Sequence, residues 1–191
     1  MKIKIEHESA RSIESEPHSA KPGENGSIIL PYVVEPQELD RWCLAAIAVS
    51  MAGFYNTGQW RQSDVAGRLL GYDCSRCHED SKIRAQCDQN WALDEALQVT
   101  GCFSHWSPGK PSFERIVSEL ESGRPIGIRI EWYKGGAHYL VIFGYHGPSR
   151  EIHIADSKHG VSRHYFDRFP HDYQSGGAVW TENFWTCPGH D

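Results

Sequence analysis

No stretch of this 191-residue sequence approaches the ~18 uninterrupted apolar residues of a membrane-spanning helix, so no such helix is expected. Lysine and arginine never gather into a basic run, and the net charge is −6, so neither nucleic acid nor a membrane surface is an expected partner. The opening residues 1–8, Met-Lys-Ile-Lys-Ile-Glu-His-Glu, are followed by no apolar segment of the kind a secretory signal carries. The expectation is a protein made in the cytoplasm that either works there or leaves through a specialised secretion system into a target cell. The Cys74-x-x-Cys77-His78 stretch lacks the second Cys-x-x-Cys or His-x₃-His half that would complete a common zinc site.

What is present points to a folded chain. Apolar residues make up 39% and charged residues 23%, a balance that suits one domain with a sizeable core. Six cysteines are an even number, but a chain of this length needs no disulfide framework, so mostly reduced thiols are expected. Two alternatives stay open for Cys74, Cys77 and Cys87: a zinc site, with Cys102 available to complete it, and a disulfide formed outside the producing cell. No cofactor is expected.

Residues 1–29 are rich in Glu, Ser, His, Pro and Gly without periodicity and read as a flexible polar leader, ahead of a single domain over 30–191. A short strand is expected within 28–34. Asp40 is suited to cap a helix whose first positions are Arg41, Trp42 and Cys43, and residues 44–52 are small or apolar on nearly every face, as in a helix enclosed by the core. Further helices are expected over 63–70, capped by Ser63, over 91–99, capped by Asn90, and after Ser112, where Phe113, Ile116, Val117 and Leu120 share a face. Residues 71–90 read as irregular. From 126 the period changes: 126–132 alternates, 137–145 is nearly continuous apolar sequence, 151–156 returns after a turn at 147–149, and 161–166 and 178–180 are weaker strands. Helices first and an antiparallel sheet afterwards predict an α+β fold.

Within that fold, Cys43 falls at the start of a helix, where unpaired N–H groups and the positive end of the helix dipole favour a thiolate. Gln37, six residues earlier, carries an amide able to reach toward the same sulfur. Free cysteine is also among the most buried residue types, so Cys43 alone establishes no chemistry. A turn centred near Gly147 would place His138 directly opposite Asp156 on a hairpin, within reach of an imidazole–carboxylate bond. Cysteine, amide donor, histidine and carboxylate together supply the roles that acyl transfer needs.

These residues, in the order Gln, Cys, His, Asp over residues 30–185, resemble the papain-like cysteine peptidases. The likeness is greatest to compact bacterial forms such as secreted avirulence-type effectors and the leader-cleaving peptidase domains of bacteriocin exporters. Gln37 with Trp42-Cys43 and the Ala-rich segment behind it resembles the family's oxyanion and nucleophile block, residues 118–125 the approach to the sheet, Gly135 to Tyr139 the histidine strand, and Ile154-Ala155-Asp156 the third-member block. Leu44 stands where many relatives have an aromatic residue, and the 71–90 segment matches no family element. The resemblance implies Cys43 as nucleophile, His138 as general base and then acid, Asp156 as its orienter, and Gln37 with the Cys43 N–H as the oxyanion hole. It implies a papain-like α+β fold, with a buried nucleophile helix packed on a C-terminal sheet. It also implies an endopeptidase acting on a protein substrate, with a bacterial effector or interbacterial toxin as the setting and a cognate inhibitor or immunity protein as a partner. Alternatives are a deamidase or acyltransferase using the same residues, a papain-like module without turnover, and a zinc-organised binding module. The leader would be a secretion or inhibitory segment, self-cleaved before Ile28. Trp60, Trp106, Trp132, Trp180 and Trp185 are candidates for pocket walls and equally for core.

Overall fold

A computed structural model describes residues 26–189. The small and apolar run at 44–52 forms the middle of helix α1 (Cys43–Tyr55), which is buried from Cys43 to Ala52. Leu44, Ile47, Val49 and Met51 each contribute about 1.5–3 kcal/mol by leaving water. Helices α2 (Gln62–Leu70), α3 (Ser81–Cys87) and α4 (Leu93–Val99) follow, and strand β2 (Phe103–Pro108) leads to α5 (Phe113–Glu121). The rest of the chain is sheet: β3 (Ile126–Trp132), β4 (Ala137–His146), β5 (Glu151–Asp156), β6 (Gly160–Tyr165) and β7 (Ala178–Thr186). An α+β architecture with helices packed on an antiparallel sheet results, as the change of period predicts.

The strands run in the order β2-β7-β3-β4-β5-β6, each antiparallel to its neighbours. A short strand β1 (Ser27–Ile29) pairs with Gly144–His146, taking over the edge of β4 where the β3 ladder ends at Ile142. Two cores lie on the two faces. On one, Tyr139, Val141 and Phe143 of β4 pack with α1, α2 and α4; on the other, Leu140 and Ile142 pack with α5 and the aromatic residues Phe166, Phe169 and Tyr173. Covered on both faces, β4 needs the continuous apolar sequence it has. Helix α4 approaches the sheet at Gly127, where a Cβ would come within 2.9 Å of Leu93 and 3.2 Å of Phe184. At Gly144 a Cβ would lie 2.8 Å from the Ile28 carbonyl, so β1 crosses there only over glycine.

Several local expectations give way to tertiary contacts. Asp40 is exposed and does not cap α1; Trp42 is the N-cap, with non-helical φ −96° and ψ 20°, and Cys43 is the first helical residue. The buried Trp42 indole donates to the Cys87 carbonyl at 2.8 Å, and the Arg41 N–H goes to Asp88 Oδ1 at 2.8 Å, so residues 38–42 form an anchored turn rather than a first helical turn. Helix α2 begins one residue early: Asp64 caps the Arg61 N–H, and Ser63 lies inside the helix. Helix α4 starts at Leu93, so Asn90 is no cap. Strand β7 extends through Thr181, Glu182 and Asn183, whose polarity hid it. Arg129 bonds Thr181 and pairs with Glu182, and Asn183 bonds Ser107, Gly109 and Trp180.

The 71–90 segment is ordered by α3, which Asp80 caps through the N–H groups of Lys82 and Ile83, and by a Cys74–Cys87 disulfide. The expectation of reduced thiols is corrected for this pair, while Cys43, Cys77, Cys102 and Cys187 are free. With two of its three sulfurs joined, the Cys74/Cys77/Cys87 set is not a zinc site, and no group of three metal-ligating side chains occurs among the described residues. Residues 1–25, most of the expected leader, lie outside the described residues, whereas residues 27–29 are part of the sheet.

Candidate active site

The N-terminus of α1 and the start of β4 meet at one rim of the sheet. The helical ladder opens with the Ala46 N–H bonded to the Trp42 carbonyl at 2.9 Å, which leaves the N–H groups of Cys43, Leu44 and Ala45 ahead of it. Cys43 is 8% exposed and lies beside His138, close enough for its sulfur to act on the imidazole. His138, 7% exposed, uses Nε2 for a 2.8 Å bond to Asp156 Oδ1, so Nδ1 is the nitrogen left for the sulfur.

The partnership of His138 and Asp156 is reached by a different register from the one expected. A bulge between Ile142 and Gly144 shifts the β4–β5 pairing, and the run from Val141↔Ala155 places Asp156 across from Leu140 rather than His138. His138 lies two residues away on the same face, a diagonal neighbour whose ring spans the gap.

Asp156 is 1% exposed and fully engaged. Oδ1 also accepts from the N–H groups of Lys158 (2.7 Å) and His159 (3.1 Å), and Oδ2 accepts from the Tyr173 hydroxyl (2.7 Å). Burial works against its charge, but the bond to His138, then those to Tyr173 and Lys158, hold the carboxyl down at about 2. Burial likewise works against a charged imidazole, yet the bond to Asp156 and the neighbouring Cys43 sulfur outweigh it and lift His138 to about 9. Trp132 lies nearly parallel to His138 (ring centroids 6.3 Å, 19°), and Tyr173 stacks on Trp132 (5.9 Å, 7°).

Gln37 lines the same cleft, a cavity of about 450 Å³ bordered also by Trp132, Lys134, His138, Lys158 and His159. Its amide does not simply reach back to the sulfur. Nε2 donates to the carbonyls of Leu39 (2.9 Å) and Asp40 (2.7 Å), and Oε1 accepts from Ser157 Oγ (3.0 Å). The turn is held from behind by Gln62, 1% exposed, which accepts from the Glu38 N–H and donates to the Pro36 carbonyl. Of the tryptophans, Trp132 borders this cleft, Trp60 a separate cavity under Arg68, Trp180 and Trp185 are core, and Trp106 is exposed on β2.

Sequence reasoning did not find Ser157, Gln62 or Tyr173. Ser157 follows Asp156 directly and had a positional signal. Gln62 and Tyr173 act across 26 and 17 residues and had none.

No curated protein matches the chain. Among solved structures, it is similar to a double glycine motif protease from an AMS/PCAT transporter in complex with the leader peptide. That pair is 16% identical over 83% of this chain and 94% of that one, with a TM-score of 0.46. It is also similar to xylellain, a cysteine protease from Xylella fastidiosa, at 12% identity over 91% of each chain and a TM-score of 0.48. Residues 29–182 match the profile of the Peptidase_C39 like family, and the chain belongs to that family of papain-like cysteine peptidases.

Proposed function

We propose that the protein cuts peptide bonds of a protein substrate with Cys43, His138 and Asp156. The observation that carries this reading is the placement of Cys43, the first residue of a buried helix, beside His138 at the start of a central strand, with His138 bonded in turn to Asp156 at 2.8 Å. His138, raised to about 9, is the base that takes the Cys43 proton as the sulfur attacks. The sulfur attacks the scissile carbonyl carbon and the carbonyl oxygen takes the electron pair. That oxygen faces the Cys43 N–H and, once one amide hydrogen turns away from the Leu39 or Asp40 carbonyl, Gln37. His138 gives its proton to the leaving amine as the C–N bond breaks, leaving a thioester. Water then attacks the thioester, His138 takes the water's proton, and the carboxylic acid product leaves with the sulfur restored.

The same reading extends to setting. The Cys74–Cys87 disulfide supports a destination outside a reducing cytoplasm, in keeping with an exported effector or interbacterial toxin restrained at its source by a cognate inhibitor or immunity protein. The segment ahead of the 30–191 catalytic unit would serve secretion or inhibition, and an unchanged N-terminus after long incubation of active enzyme would argue against its self-cleavage.

The test is brief, limiting iodoacetamide treatment at about pH 6 with peptide mapping, where only an activated thiolate reacts quickly. Single labelling at Cys43 that disappears in His138→Ala is expected. Slow labelling scattered over the free cysteines overturns the reading.

A further inference from the structure

Asp156 has two oxygens, and only one is secured by the strand end. The N–H groups of Lys158 and His159 hold Oδ1, and turning about the Cβ–Cγ bond would carry both oxygens off their partners together. The plane of the group decides whether the Oδ1 lone pair aims at His138 Nε2, and the partner of Oδ2 is the second restraint on that plane. The partner of Oδ2 is the hydroxyl of Tyr173, 1% exposed, in the turn Tyr173–Ser175 between β6 and β7. The Gln174 and Ser162 side chains lie beside the phenol, and Ser162 is itself 3.0 Å from His164 Nε2. Burial, reinforced by Asp156, keeps the phenol protonated and therefore a donor.

The ring of Tyr173 reaches the same histidine by a second route. It lies parallel to Trp132, whose other neighbour is the His138 imidazole, so Tyr173, Trp132 and His138 form a stack while Tyr173, Asp156 and His138 form a hydrogen-bonded chain. The two routes start at one residue and end at one ring.

We propose that Tyr173 is a positioning residue of the active site, fixing the plane of Asp156 through its hydroxyl and the plane of His138 through Trp132. The proposal rests on the Cys43–His138–Asp156 reading above. Titratable or charged groups facing this assembly are Cys43, the edge-on His159, His164 packed against Tyr173 at 5.2 Å, and, around the cleft, Asp40, Lys134 and Lys158. All of these remain in Tyr173→Phe, which also keeps the ring stack.

The experiment follows the rate of Cys43 alkylation by iodoacetamide against pH in the full chain, comparing wild type, Tyr173→Phe, Asp156→Asn and the double variant. In wild type a fast plateau is expected to end in an upper inflection where His138 loses its proton. Asp156→Asn should move that inflection down, Tyr173→Phe should move it part of the way in the same direction with roughly tenfold lower plateau reactivity, and the double variant should match Asp156→Asn alone. An inflection that stays in place or rises in Tyr173→Phe overturns the proposal, as does a double variant in which the two effects add. A wild type without any fast plateau overturns the Cys43–His138 reading instead, so the two failures are separable.

Discussion

The two walls of the cleft are built by different means. On the hairpin wall, His138 and Asp156 sit on neighbouring strands, and the sheet ladder itself brings them to within one hydrogen bond. On the turn wall, residues 37–42 belong to no helix or strand and are held by distant side chains: Gln62 on Pro36 and Glu38, Ser157 on Gln37, Asp88 on Arg41, and the Cys87 carbonyl on Trp42. The hairpin wall has its geometry by virtue of secondary structure. The turn wall has it only when the surrounding segments are themselves in place, above all the disulfide-bonded loop. On the proposed mechanism, proton transfer is seated in the rigid part of the molecule, and the recognition of the carbonyl oxygen in the conditional part.

That contrast is tested first by His138→Ala, which removes the hairpin wall's chemistry and should lower kcat by about 10⁴ or more in a peptide-cleavage assay. Substantial residual turnover would mean that the hairpin is not where protons move. Gln37→Ala on the turn wall should cost about 10²–10³ in kcat with little change in KM, because its donor acts on charge that develops in the transition state. A loss confined to KM would assign Gln37 to substrate binding. The double variant Cys74→Ser/Cys87→Ser should lose about 3 kcal/mol in urea denaturation, the contribution of a cross-link spanning 13 residues. If the turn wall depends on that loop, the same variant should lose more activity from Gln37 chemistry than from Cys43 alkylation; equal losses would erase the distinction between the walls.

The gentlest perturbation is pH. His138 is held at about 9 against an ordinary 6.5, so its contribution to stability is complete below about 6.5 and drains away as pH rises through 9. Asp156 is held at about 2 against an ordinary 3.8, so its contribution is complete above 3.8 and is lost as pH falls through 2. Thermal melting should therefore show the pair contributing fully between these limits. Asp156→Asn should flatten the alkaline side of the profile, and an unaltered alkaline slope would place the raised histidine elsewhere.

The hairpin wall was largely legible in the sequence because period-two and continuous apolar patterns are local properties. Strands over 126–132 and 151–156 fall where those patterns place them, and the fault lies in register. The bulge at Ile142/Gly144 displaces the pairing, and it falls at the glycine against which β1, more than a hundred residues away in sequence, is packed. The turn wall was poorly legible for the same reason. Asp40 is a good capping residue by type, but burying the Trp42 indole against Cys87, 45 residues on, prevails over a local cap. Strand β2, with exposed Ser104, His105 and Trp106, offers no alternation to read, and Tyr173 looks like any aromatic residue until the fold carries it to Asp156.

With Cys43 as the proposed nucleophile, the chain pairs a working thiol with a structural cystine, and the two set opposite conditions on their surroundings. On that proposal Cys43 acts only while it carries no partner sulfur, and the Cys74–Cys87 bridge exists only while no dithiol opens it. Activity titrated against dithiothreitol should therefore climb as blocked Cys43 is freed and then decline as the bridge is cut, giving an optimum rather than a plateau. The electron supply of the compartment then acts as a dial on this enzyme, with an off position at either end.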